Sequence, residues 1–292
     1  MPRRAGVIGS PVGHSISPAM FTAAFKAAGI DATYEAWETP ADVLEGRINA
    51  LRSDDYLGAN VTVPHKQAVI PLLDEMDARA SEAGAVNVIV HRDGKLTGYN
   101  TDASGFARSL REDAGFDGKR KKIMLLGSGG AARAVALALI EQNPEWVYVV
   151  GRTPRNIDRM VVDLKRLTPS GTTITWAYWG DGSYMRALAE ADLIVNCTPV
   201  GVAGSETDGQ SPLRPEEIRP GVIVYDLVYN PAETPLLAAA RARGATAVRG
   251  VGMLVYQAAE AFKLWTGRDA DVAVMRQAAE EALQRARDAR VR

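Results

Sequence analysis

The stretch "KKIMLLGSGGAARAVALALIEQNPEWVYVVGRTPRN", residues 121–156, constrains the fold of this chain more than any other. An apolar run of strand length releases into a glycine-rich turn, a helical pattern follows, and a second apolar run closes the segment. That order is one complete βαβ unit, whose crossover calls for parallel strands with a helix against the sheet. Within it, Gly127, Gly129 and Ala132 fall on the G-x-G-x-x-G/A template, directly after a strand and opening a helix. Gly127 permits the tight turn, Gly129 lets the backbone approach a pyrophosphate, and Ala132 allows close helix–strand packing. The loop and helix start, with Ser128, Gly130 and Ala131, then offer free N–H groups and a positive dipole end to phosphates. A merely tight βα turn is the plain alternative.

The end of the second strand selects the dinucleotide. An NAD site usually carries an acidic residue about 20 positions beyond the glycines, bonded to the ribose 2′-OH. This chain has "GRTPR" there, Gly151 to Arg155, with no carboxylate. The Arg152 and Arg155 guanidiniums and the Thr153 hydroxyl suit a 2′-phosphate, so NADP is the expected cofactor. The competing reading is two solvated arginines at a helix start.

At 292 residues the chain has room for two domains. Before residue 100, strands are expected near Gly6–Gly9, Thr33–Trp37 and Gly58–Val63, with a hairpin of Val86–Val90 and Leu96–Tyr99 around Asp93-Gly94. Helices fit Pro18–Ala28, Ala41–Leu51 and Lys66–Leu73. A helix from Ala103 to Ala114 is followed by "GFDGKRKK", a polar stretch suited to a boundary. Beyond the βαβ unit, strands fit Thr173–Ala177, Leu193–Asn196, Val222–Asp226 and Ala245–Val248, and the tail from Met253 is helical. The alternation makes this an α/β protein.

The 34 basic and 35 acidic residues leave a net charge of −1, which gives no support for a nucleic-acid or membrane partner. Cys197 is the only cysteine, so no intrachain disulfide or Cys-based zinc site can form, and the three histidines have no ligand spacing; no metal is expected. The N-terminal apolar run is too short for a signal peptide, and no stretch reaches the roughly 18 apolar residues of a membrane span. The cytoplasm is the expected compartment.

Polar residues of the first hundred are the candidates for substrate chemistry. "VIGSPVGHSISPAM" carries Ser15 and Ser17 two apart at a strand's end; Pro18 fits the first helical position, which makes Ser17 an N-cap candidate as well. "GANVTVPHK" sets Asn60 and Thr62 on one strand face, with Lys66 at a helix start. Asn87 lies in an apolar strand, where its amide needs partners, and "YNTD" ends on Asp102. Each has a bland reading: Asp102 as a helix N-cap, Lys66 as a solvated first-turn lysine, Asn87 as a satisfied sheet residue.

Taken together, "HSISP", "NVTVPHK", "AVN", "NTD", "GSGGAARA", "GRTPR", "NCTPVG", "DLVYNP" and "GVGMLVYQAA" resemble the shikimate dehydrogenase family, in its order and over nearly the whole chain. The resemblance implies NADPH-dependent reduction of 3-dehydroshikimate to shikimate. It implies an N-terminal α/β substrate domain, residues 1–102 completed by helices over 253–292, and a Rossmann-type doubly wound NADP-binding domain over 103–252. The active site is expected in the cleft between them. By motif, Ser15, Ser17 and Thr62 would hold the substrate carboxylate, and Asn60, Asn87, Asp102 and Gln257 the ring hydroxyls. Lys66 and Asp102 would be the catalytic pair. Thr198, Tyr229, Gly250 and Met253 would border the nicotinamide, Tyr229 near the substrate too. Ala103 stands where glycine often follows "NTD", and Gly151 where Asn is common. The alternatives are a quinate/shikimate dehydrogenase of relaxed specificity and a non-catalytic NADP-sensing paralogue. A homodimer and the role of the loop 201–213 are left open.

Overall fold

The computed structural model describes residues 2–168 and 171–291. Along the chain, β1 (Arg3–Gly9) leads to α1 (Ser17–Ala28), β2 (Ala32–Glu38), α2 (Leu44–Ala50), β3 (Gly58–Val61), β4 (Glu75–Met76) and α3 (Ala78–Ala83). The hairpin β5 (Val88–Arg92) and β6 (Lys95–Tyr99) precedes α4 (Asp102–Ala114). There follow β7 (Lys122–Leu126), α5 (Gly130–Ile140), β8 (Trp146–Gly151), α6 (Pro154–Leu167), β9 (Thr173–Tyr178) and α7 (Tyr184–Glu190). Then come β10 (Leu193–Asn196), β11 (Ile223–Asp226), α8 (Pro235–Ala242), β12 (Thr246–Arg249), α9 (Val251–Thr266) and α10 (Val272–Val291).

Two compact units result, and the division falls inside helices: after Gly105 within α4 and after Met253 within α9. The polar stretch 115–122 therefore lies inside the second unit. Helix α4 runs on unbroken past the division because Phe106 and Leu110 bury their side chains completely.

The first unit is built on a mixed six-stranded sheet in the order β2-β1-β3-β5-β6-β4. Strand β1 pairs in parallel with β2 and β3, while β5 is antiparallel to β3 and β6. The Asp93-Gly94 turn has positive φ at both residues (50° and 76°), as a tight two-residue hairpin needs. On one side of the sheet, Ile8, Trp37, Ile48, Val61, Ile89 and Leu96 join one core cluster. Elsewhere in the unit, aromatic rings hold the returning C-terminal helices: Phe21 stacks on Tyr34 at 4.3 Å and tilts against Trp265 at 5.2 Å, and Phe25 meets Phe262 at 5.4 Å. The Trp265 indole donates to the Ile89 carbonyl at 2.9 Å.

Three local expectations change here. Residues 63–69 form successive turns and only Ile70–Leu72 a 3-10 turn, where a helix over Lys66–Leu73 was expected. The reason is tertiary: the Lys66 carbonyl accepts from Val86 N–H at 2.8 Å, and Ile70 N–H turns to Gln67 instead. Pro71, with no N–H to give, adds to the break. Asn87 directly precedes β5 rather than lying within it, although its N–H still bonds Tyr99. Helix α1 starts at Ser17 with Ile16 as its cap residue and no side-chain cap, so Pro18 is its second residue.

The second unit carries a fully parallel sheet in the order β12-β11-β10-β7-β8-β9. The order reverses between β7 and β10, which places a crevice beyond their carboxyl ends, where doubly wound sheets bind ligands. Leu126 of β7, Asn196 of β10 and Asp226 of β11 lie side by side at that edge. Gly127 leaves β7 with φ of 112°, and a Cβ there would meet the Cys197 backbone and Thr198 at 3.2 Å. Glycine alone fits that turn and that approach.

Candidate active site

In the first unit the turns after β3 aim Lys66 at the start of α4. Its Nζ donates to Asp102 Oδ2 at 2.5 Å, with side-chain exposures of 23% for Lys66 and 4% for Asp102. Asn87 Nδ2 donates to the other carboxylate oxygen, Oδ1, at 2.8 Å, and also reaches Gln257 Oε1 at 2.8 Å and Thr101 Oγ1 at 3.0 Å. Thr101 N–H returns a bond to Asn87 Oδ1 at 2.8 Å. The Asp102 carboxylate is thus spent on a lysine and an amide. What anchors its backbone is Asn100, whose Oδ1 accepts Asp102 N–H at 3.0 Å. Gln257 reaches the cluster from α9 because Gly105 has no Cβ, which would stand 2.8 Å from the Gln257 backbone nitrogen.

Strands β1 and β3 run in parallel with Ile8 opposite Val61, so the segments carrying Ser15, Ser17 and Thr62 leave the sheet at one edge. Asn60 Nδ2 donates to the Asn87 carbonyl at 3.3 Å, and its Oδ1 accepts the Tyr34 hydroxyl at 2.7 Å. Burial raises the Tyr34 phenol well above its ordinary value, opposed in part by a hydrogen bond with Ser17. Tyr34 was not expected from the sequence; its place follows from β2 lying beside β1, a pairing no local pattern announces. Between the two serines, the helix-start contact belongs to Ser15: its Oγ accepts Ser17 N–H at 3.2 Å, leaving its own hydrogen to donate.

In the second unit a cavity of about 320 Å³ opens at the crevice. Residues 127–129, 151–153, 197–200 and 210–212 line it together with Trp179. Gly127, Ser128, Gly129, Arg152, Thr153 and Thr198 are brought together here, as is the end of the 201–213 loop. Gly130 and Ala131 instead open α5, whose N-terminus has no side-chain cap. Arg155 stands exposed in the first turn of α6. Gly250 packs against the Asp226 and Leu227 carbonyls, Met253 is buried in α9, and burial raises the Tyr229 hydroxyl.

These residues fit a dinucleotide phosphate. A Cβ added at Gly129 or Gly130 would meet nothing within 4 Å, so the glycine loop faces open space. Thr153 caps α6 by position while its side chain makes no cap bond. Among the described residues neither Arg152 nor Arg155 has a carboxylate partner, leaving both guanidiniums for an anion. Among those residues, too, no three His, Cys, Asp or Glu side chains gather as a metal set, and no helix is long and apolar enough to cross a membrane.

A buried network backs the cavity. Asn196 Oδ1 accepts the Thr198 hydroxyl at 2.6 Å, and Asn196 Nδ2 donates to Asp226 at 2.9 Å. Asp226 also accepts from Thr234 Oγ1 at 2.6 Å and Val228 N–H at 3.0 Å. Burial outweighs these bonds and pushes its carboxyl up to about 6. A carboxyl whose folded pKa lies above the unfolded one contributes stability when protonated, present in full below about pH 4 and lost as pH rises through about 6. The stability of the wild type relative to Asp226→Asn should therefore fall across that window, by up to about 3 kcal/mol for a shift of this size. Urea titrations of both proteins at a series of pH values check this; parallel curves would sink it.

Residues 7–89 match the family described as shikimate dehydrogenase substrate binding domain, and residues 250–280 the shikimate 5′-dehydrogenase C-terminal domain. Shikimate dehydrogenase (NADP(+)) of Methanopyrus kandleri is 44% identical over 280 residues, covering 96% of this chain and 95% of that protein. The crystal structure of shikimate 5-dehydrogenase from Thermus thermophilus in complex with NADP(H) and shikimate superposes with a TM-score of 0.85 at 38% identity, covering 96% and 100% of the two chains. A quinate dehydrogenase from Corynebacterium glutamicum in complex with NAD reaches the same TM-score at 31% identity, covering 95% and 98%.

Proposed function

The chain belongs to the shikimate dehydrogenase family, and we propose that Lys66 and Asp102 carry the proton-transfer half of that family's reaction. The enzyme is an NADP-dependent oxidoreductase acting on a CH–OH group, reversibly reducing 3-dehydroshikimate to shikimate on the route to chorismate and the aromatic amino acids. The observation that carries the residue assignment is the lysine–carboxylate pair ringed by side-chain amides.

When bound, NADPH supplies the hydride. Lys66 Nζ gives the proton to the substrate's carbonyl oxygen, and in the reverse direction its neutral form takes one from the hydroxyl. Asp102 Oδ2 orients the ammonium, and the Asn87 amide holds Oδ1 so that the carboxylate stays in place. An ammonium has three N–H donors, so two remain for substrate. Asn60, Asn87 and Gln257 bind the ring hydroxyls, and the hydroxyls of Ser15, Ser17 and Thr62 donate to the substrate carboxylate. Residues 127–131 with Arg152, Thr153 and Arg155 hold the cofactor's phosphates, and Thr198, Tyr229, Gly250 and Met253 border the nicotinamide. The first unit, residues 1–105 with 254–292, serves the substrate, and the second, residues 106–253, the cofactor. A biosynthetic reduction drawing on NADPH belongs in the cytoplasm.

The test is an initial-rate comparison at the nicotinamide absorbance band, with shikimate or quinate against NADP or NAD. Shikimate with NADP should give the highest kcat/KM, above either single replacement by at least about tenfold, the scale of one lost pocket interaction. Comparable values with quinate and NAD would favour the relaxed-specificity enzyme, and silence with all four pairs the NADP-sensing paralogue.

A further inference from the structure

The cavity of the second unit contains a side chain that no phosphate or nicotinamide contact explains. Among the described residues lining it, Trp179 is the only aromatic. It follows β9, and its backbone N–H donates to the Gly151 carbonyl at 2.7 Å, tying the end of β9 to the residue before Arg152. Its ring stacks on Tyr184 with centroids 5.8 Å apart and planes 25° from parallel, and Tyr184 is itself buried. The indole is therefore held from behind while remaining partly exposed toward the cavity.

We propose that Trp179 is the stacking wall for the adenine ring of NADP. This rests on the reading that Arg152 and Thr153 anchor the 2′-phosphate. In NADP the adenine and the 2′-phosphate hang from adjacent ribose carbons, so a phosphate anchored at Arg152 brings the base to the neighbouring wall. A flat aromatic face fixed by a second ring is a good platform, because every base has a π-face and little side-chain freedom is lost on binding. The end of the 201–213 loop forms another wall of the same cavity: Gln210, Ser211 and Pro212 line it, and Leu213 is buried beneath. The loop is held at its base by Gly201 N–H to Thr207 and Ala203 N–H to Asn230, at 3.1 and 2.9 Å. Its role in this assignment is to confine the base against Trp179.

The probe is adenosine 2′,5′-bisphosphate, which carries the adenine and the 2′-phosphate without the nicotinamide. Equilibrium titration of the full chain is followed by calorimetry and by tryptophan emission. Wild type should bind it with quenching of the emission. Trp179→Ala should bind it at least about tenfold more weakly, the scale of one base–aromatic stack. Trp179→Phe should keep affinity within a few-fold and lose most of the quenching. Turnover with reduced nicotinamide mononucleotide, which has no adenine, should be the same in wild type and both variants. Wild-type affinity in Trp179→Ala overturns the proposal, as does undiminished quenching in Trp179→Phe, which decides alone if the alanine variant does not fold. Failure of the wild type to bind the probe would instead bring down the reading of Arg152 and Thr153 as the 2′-phosphate anchor beneath it.

Discussion

Lys66→Ala is expected to lower turnover by about a hundredfold or more while the KM for shikimate changes by only a few-fold, since positioned acid–base groups supply 10²–10⁴ in rate. The local backbone should survive the change. Lys66 is tied down by its own carbonyl on Val86 N–H, a bond that does not involve the side chain. Asp102 keeps its bond from Asn87, so the carboxylate is not stripped of partners, although a largely buried charge loses its counter-ion. Thermal melting of the variant separates a damaged fold from a missing acid. The diagnostic pattern is a fall in kcat with a similar fall in kcat/KM, because the proton is delivered only as the transition state forms. Turnover near that of the wild type would refute the assignment of Lys66.

The second large effect belongs to Arg152. Arg152→Ala should weaken NADP binding by about ten- to a hundredfold, the range of charge-assisted hydrogen bonds to a phosphate, and leave NAD binding almost unchanged. The side chain is exposed at the start of α6 and pairs with no carboxylate among the described residues, so its removal leaves no orphaned partner. Stability should accordingly hold. Titration of the two dinucleotides against wild type and variant gives the ratio directly. Equal weakening of both would mean that Arg152 does not read the 2′-phosphate.

What was legible in the sequence was whatever is encoded within one turn or one period. The glycine loop after β7 and the Arg152–Thr153 pair after β8 are local patterns, and the cavity gathers both. The Asp93-Gly94 turn likewise announces its own geometry. Where a distant bond decides, local reading fails: the Lys66 carbonyl goes to Val86, and the expected helix becomes turns. Strand β4 and helix α3, two and six residues long, are too short to show a period. Tyr34 joins Asn60 only because of the order in which strands pair, and Gln257 meets Asn87 across 170 residues. Family resemblance pointed to Gln257, whereas no periodicity would have. The serine pair shows a finer limit, since the sequence suggests Ser17 as the helix cap and the structure gives the helix-start bond to Ser15.

The first unit draws on both ends of the described chain, whereas the second is one continuous run. This sets an order on biosynthesis. As the polypeptide leaves the ribosome, β7 to β12 are all available to one another before α9 has emerged, so the parallel sheet can close during translation. The mixed sheet made earlier must wait, with Phe21 and Phe25 lacking Trp265 and Phe262, and Asn87 lacking Gln257. The nascent protein thus has its glycine loop and Arg152 in place beside the parallel sheet before its Lys66 cluster is complete.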